Sequence, residues 1–168
     1  MGKLKVLINN NQDVCKVPTG MRLVIKRCCK AVLQMEQFND DVEVSVSFVD
    51  NNQIKKLNAE YRNKDIETDV LSFQMCEGDK YDKDAEGVVI LGDIVISFEK
   101  AVKQAHEYNH SIFRELAYLT VHSMLHLLNY EHENGGLEAV RMREKEETIL
   151  NKIGLTRDAT YVIFDDEN

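Results

Sequence analysis

Three of the five histidines in this 168-residue chain fall within eleven residues, His122-Ser-Met-Leu-His126-Leu-Leu-Asn-Tyr-Glu-His132, spaced His-x3-His-x5-His. Side chains four apart lie on one face of a helix, so His122 and His126 can aim both imidazoles at one point. The next helical turn cannot supply a third ligand, because it continues the same stripe instead of crossing the metal. The chain must therefore leave the helix and come back. Asn129 suits that exit, since Asn tolerates a left-handed C-cap better than most residues. Three neutral imidazoles leave a fourth position open for water, the layout of a catalytic zinc site. With His132 as the third ligand, the motif predicts one zinc ion per chain.

The same spacing occurs in the metzincin motif H-E-x-x-H-x-x-G-x-x-H. Here Ser123 stands in place of its general-base Glu, and Asn129 in place of its Gly. A serine hydroxyl cannot take a proton from metal-bound water near neutral pH. The helix is zincin-like; protease chemistry is not expected. Two carboxylates are candidates for support. Glu115 lies seven residues before His122 on the same helical face and could hydrogen-bond a ligand imidazole, or form a surface salt bridge. Asp93, set among apolar residues, is either a buried polar support or a turn residue.

A second stretch rich in chemistry is Asn58-Ala-Glu-Tyr-Arg-Asn-Lys-Asp-Ile-Glu-Thr-Asp-Val-Leu-Ser-Phe73. A helix should end near Tyr61, and a polar loop then presents Arg62, Lys64, Thr68 and Asp69 before a buried strand. An arginine there offers a planar fork to a phosphate or to developing negative charge. A salt bridge to Asp65 or Asp69 is the competing role.

The elements that must hold these residues follow from periodicity and caps. Residues 3–8 read as a strand, and Thr19 as the N-cap of a helix to about residue 36. Val42, Val44, Val46 and Phe48 alternate with polar residues, as in a half-exposed strand. Asp50 caps a helix that turns Ile54, Leu57 and Tyr61 inward, and residues 70–74 form a compact strand. The charged stretch 77–87 reads as a mobile connection. Residues 88–96 look like one strand with an irregularity at Gly92-Asp93. Ser97 and Ser111 cap the next two helices, the second carrying His122 and His126. A last helix runs from about Gly136 to Ile153 and stops at Gly154. These elements predict a single α+β domain over residues 1–168, a mixed β-sheet packed with helices.

Hydrophobic content of 43% and charged content of 30% suit a soluble globular chain. There is no apolar run long enough to span a bilayer and no signal-peptide pattern, so no membrane partner is expected. The four cysteines show no framework spacing, and Cys28-Cys29 read as buried thiols, which predicts a reducing, cytoplasmic setting. A net charge of −8 argues against broad, unselective nucleic-acid binding. It leaves room for a local basic groove or a solvated face at Arg22, Lys26 and Lys30, and at Lys55, Lys56, Arg62 and Lys64.

Three blocks carry a resemblance. Asn58…Tyr61-Arg62-x-Lys64-Asp65-x-x-Thr68-Asp69-Val70-Leu71-Ser72-Phe73, then Leu91-Gly92-Asp93-Ile94-Val95-Ile96, then the three-histidine motif, together resemble the YbeY endoribonuclease family. The resemblance implies a zinc-dependent, single-strand-specific endoribonuclease that matures ribosomal RNA, especially the 3′ end of the small-subunit 16S RNA. It further implies ribosome quality control, and single-stranded RNA and the ribosome or its small subunit as partners. By position, His122, His126 and His132 match the metal ligands, and Arg62 the arginine associated with activity. The family commonly has Pro at the positions of Glu67 and Gln74, Gly at Ser123 and Asn129, and Asp at Glu131. Whether the metal activates water or only polarises the phosphate is open at this point. A metallohydrolase of peptides or small molecules, and a non-enzymatic zinc-containing assembly protein, are the alternative readings.

Overall fold

Alternation of small apolar and polar residues builds the sheet. In the computed structural model, which describes residues 2–77, 80–131 and 135–156, Val42, Val44, Val46 and Phe48 are buried along strand β2 (Val42–Val49) while the residues between them are half-exposed. Strand β1 (Leu4–Asn10) lies parallel to β2, joined to it by helix α1 (Met21–Met35). Helix α2 (Asn51–Arg62) follows, and then strand β3 (Val70–Gln74). Two short strands, β4 (Cys76–Glu77) and β5 (Lys80–Tyr81), pair with each other. Strand β6 (Val89–Ser97) leads through helices α3 (Phe98–Glu107) and α4 (Ile112–Leu127) to α5 (Gly136–Lys152). The main sheet has the order β1-β2-β6-β3, with β6 parallel to β2 and antiparallel to β3, so the α+β fold with a mixed sheet is as expected.

The irregularity foreseen in β6 is a register shift. Glu43 faces Ile90 but Val44 faces Gly92, so Leu91 is the extra residue. Gly92 lies at φ +149°, and a Cβ there would meet the Phe73 carbonyl oxygen. Only glycine lets β3 and β6 approach this closely.

Helix α4 is the spine of the main core. Leu116, Leu119, Met124, Leu125 and Leu127 are buried between the sheet and α1, and truncating such a leucine typically costs about 2–5 kcal/mol. A second, smaller core of Val49, Ile54 and Leu71 packs with Leu57, Phe73 and Val95. Val95 alternates with Ile94 and Ile96 of the main core, so α2 covers the opposite face of the sheet.

Caps set the helix starts where polar residues supply them. Asp50 accepts from the Gln53 amide at 2.8 Å while Gln53 reaches back to the Asp50 amide, a reciprocal pair. Ser97 and Ser111 cap α3 and α4 through the amides of Lys100 and Arg114. Helix α5 ends before Gly154, at φ +83°.

Three local expectations change. Thr19 does not cap α1; Gly20 occupies that position at φ +91° with no side-chain hydrogen bond. Tyr61 is exposed, because its ring leans edge-on against Phe73 at 5.4 Å instead of entering the core. The stretch 77–87 is more than a connection, since it contributes to the β4–β5 hairpin and a bridge from Lys83 to Val89.

Candidate functional site

Helix α4 delivers His122 and His126 one turn apart at its C-terminal end, both half-buried. Their rings meet nearly at right angles, centroids 4.6 Å apart, and their Nε2 atoms face each other at 3.1 Å. The opposite ring nitrogens are held from outside the helix face. His126 Nδ1 lies 2.8 Å from the carbonyl oxygen of Tyr130, and His122 Nδ1 lies 2.7 Å from Glu146 Oε1 on α5.

The turn after α4 makes the first of these contacts possible. Asn129 stands at φ +73°, as its place at the helix exit predicted. The Asn129 amide donates to the His126 carbonyl and the Tyr130 amide to the Leu125 carbonyl, both at 3.0 Å. This 5→2 and 6→1 pair is a Schellman turn. It folds the Tyr130 carbonyl back beneath the His126 ring.

The hydrogen-bond pattern provides a test of whether a metal fits. A carbonyl oxygen can only accept, so the contact places a proton on His126 Nδ1, and the neutral ring then offers its Nε2 lone pair to a metal. Glu146 arranges His122 in the same sense. Two tetrahedral ligands at about 2.0–2.1 Å from one zinc ion stand about 3.3 Å apart, close to the observed Nε2 separation. The pair fits a metal. No third His, Cys, Asp or Glu among the described residues completes the group, and His132, the expected third ligand, lies outside them.

Arg62 reaches the same cleft from the end of α2, where Asn63 at φ +57° terminates the helix. Its Nη2 donates to the Ser72 carbonyl at 2.8 Å, and the guanidinium sits 5.0 Å from the centre of the Phe73 ring. Neither Asp65 nor Asp69 pairs with it; among the described residues Arg62 makes no salt bridge. Asp69 instead accepts from Gln104 Nε2 at 3.1 Å. The cleft, about 520 Å³, is lined by Arg62, Lys64, Asp69, His122, His126 and Asn129.

The supporting carboxylates are placed differently from the sequence reading. Glu115 does not meet a ligand imidazole. Two turns before His122 it binds His110 Nε2 at 2.6 Å, and its other oxygen accepts from Gln104. Asp93 is exposed, in mid-strand, on the face of β6 away from α4. Glu146 is the carboxylate at His122, and sequence reasoning missed it. The signal was present: with Met142, Ile149 and Leu150 it occupies the buried stripe of α5. Ser123 is fully buried and is not part of the cleft lining, and among the described residues its hydroxyl has no hydrogen-bond partner. Tyr118 stacks over His122, ring centroids 5.7 Å apart, and its phenol is pushed up to about 12 by burial, then by Glu146 and neighbouring carboxylates.

The chain is similar to known proteins over most of its length. Residues 7–154 match the family described as Endoribonuclease YbeY. A protein of that name from Caldanaerobacter subterraneus subsp. tengcongensis is 52% identical over 160 residues, covering 92% of this chain and 100% of the relative. One of the same name from Clostridioides difficile is 44% identical over 155 residues, covering 92% and 100%. The solution structure of TM1509 from Thermotoga maritima shares the fold, with a TM-score of 0.57 at 23% identity, over 88% of this chain and 90% of that one.

Proposed function

The chain belongs to the Endoribonuclease YbeY family, and on that premise we propose that it cleaves single-stranded RNA at a zinc centre held by His122, His126 and His132. Its substrate is ribosomal RNA, and its task is maturation of the 16S RNA 3′ end and ribosome quality control, in the cytoplasm. One endoribonuclease domain spans residues 1–168. No helix among the described residues is long and apolar enough to cross a membrane. The observation that carries the reading is the convergence of two imidazole Nε2 atoms, 3.1 Å apart, on a cleft shared with Arg62.

When bound, zinc supplies Lewis acidity at a phosphoryl oxygen or lowers the pKa of water towards about 7. The chain's own residues do the rest. Tyr130 and Glu146 keep the Nδ1 positions of the two imidazoles engaged, so that both Nε2 atoms face the cleft. Arg62 spends one N–H on Ser72 and keeps further donors of its planar fork for the non-bridging oxygens of a phosphodiester. Its stacking on Phe73 limits the orientations of that fork before RNA arrives.

The test is cleavage of a single-stranded RNA by zinc-loaded protein, with His126→Ala as the control and casein as a second substrate. RNA cutting that is lost in the variant, with casein intact, is expected. Undiminished cutting by His126→Ala would refute the site, and zinc-dependent proteolysis would refute the substrate class.

A further inference from the structure

Helix α5 enters the site from 24 residues beyond His122, and it brings a carboxylate into the core. Glu146 is 3% exposed and shares its stripe with fully buried Ile149 and Leu150. A carboxylate so far from water persists only where a charge-assisted hydrogen bond compensates its desolvation. Among the described residues the hydrogen bond it makes is to His122 Nδ1, at 2.7 Å. The preceding residue serves the other imidazole at one remove. Lys145 binds Glu36 at 2.9 Å and lies 5.3 Å from the centre of the Tyr130 ring, and the Tyr130 carbonyl holds His126.

We propose that Glu146 is the positioning residue of the metal centre: its carboxylate fixes His122 with the proton on Nδ1, aims the Nε2 lone pair at the point His126 faces, and so raises affinity for zinc. This rests on the zinc reading above. Glu146 touches no substrate and takes no part in bond breaking. Its effect runs through one imidazole, whose basicity rises when a carboxylate accepts its other N–H. Tyr118, over the ring of His122, narrows the remaining freedom of the imidazole. A merely structural pair would anchor α5 and leave metal affinity untouched.

Two substitutions separate these roles. Glu146→Met fills the same space with no acceptor, and in a buried position it need not weaken the fold. Glu146→Gln keeps an acceptor oxygen without the charge. Zinc affinity is measured by chelator competition on both variants and on wild type, with Glu115→Gln as a control that leaves His122 alone. Imidazole ¹⁵N spectra of the zinc-free proteins report which nitrogen of His122 carries the proton, and thermal melts report the fold. The expectation is a loss of about 10–100-fold in zinc affinity for Glu146→Met, a smaller loss for Glu146→Gln, and none for Glu115→Gln. The Nδ1–H form of His122 should persist in Glu146→Gln and give way to a mixture in Glu146→Met. Affinity within twofold of wild type in folded Glu146→Met overturns the proposal. Should that variant not fold, unchanged affinity in Glu146→Gln overturns it and weakened affinity supports it. A wild-type protein that holds no zinc overturns the metal reading and this assignment together.

Discussion

Gln74 at the end of β3 donates its side-chain amide both to the backbone carbonyl of His126, at 2.7 Å, and to Oδ1 of Asn129, at 2.8 Å. The two side chains meet at the cleft that His122 and His126 line. Asn at φ +73° carries a backbone cost that glycine would not, and its side chain offsets this by accepting from Gln74. The same glutamine satisfies a carbonyl in the last turn of α4, one residue of which is a proposed ligand. Strand β3 is thereby tied to the turn that shapes the site.

Substitution at Asn129 separates backbone strain from the lost contact. Asn129→Gly relieves the left-handed conformation and gives up exposed side-chain contacts, the hydrogen bond from Gln74 and a weaker one from the Cys76 thiol among them, so its stability should stay within about 0.5 kcal/mol of wild type. Asn129→Ala gives up the bond and keeps the strain, and should lose about 1–2 kcal/mol. Urea melts of both variants check this. Equal loss in the two would mean that the side chain, and not φ, governs the turn.

Much of this site was legible because its determinants are local. The one-turn spacing of His122 and His126, the left-handed exit at Asn129, and the caps at Asp50, Ser97 and Ser111 all act within a few residues, and sequence spacing reports them directly. What was hidden depends on partners brought by the fold. Glu146 sits in the charged run Arg-Glu-Lys-Glu-Glu of α5, where composition suggests a solvated face, and only its place on the buried stripe sets it apart. Glu115 has the helical phase to face His122, but His110 reaches it first across the α3–α4 connection. Thr19 looked like a cap because Thr often is one, whereas the chain enters α1 through the positive φ of Gly20.

Alkaline pH should unfold this protein through its buried thiols. Burial pushes Cys29 from an ordinary 9.0 up to about 12, and it raises Cys28 well above 9.0 as well, with the neighbouring thiol adding to the effect. The folded pKa of Cys29 lies above the unfolded one, so its contribution is complete below about pH 9 and is lost as pH rises towards 12. Three units correspond to about 4 kcal/mol for the full span. Tyr118, also raised to about 12, acts in the same direction from about pH 10 upward. Urea midpoints at pH 8 and pH 10.5 should differ clearly in wild type and less in Cys29→Ala. An identical drop in both would assign the alkaline transition elsewhere. Thiol reagents at pH 8 should label Cys15 and Cys76, which are partly exposed, well before Cys28 and Cys29.

Arg62 allows chemistry to be separated from scaffold. A guanidinium stays protonated and donates no lone pair to a metal, so Arg62→Ala should keep its zinc. The contacts it gives up are one exposed hydrogen bond to Ser72 and stacking on Phe73, worth on the order of 1 kcal/mol together. No carboxylate among the described residues is left unpaired by its removal, which takes away the salt-bridge account of a larger loss. If Arg62 neutralises charge on the phosphoryl oxygens, single-turnover RNA cleavage should fall by about 10²-fold or more, far beyond the change in stability. Arg62→Lys should recover only part of the rate, because an ammonium restores the charge but neither the fork nor the stacking on Phe73. Zinc content, thermal melt and cleavage are measured on the same three preparations. Cleavage by Arg62→Ala at the wild-type rate would remove this residue from the chemistry and leave the histidine centre to account for it.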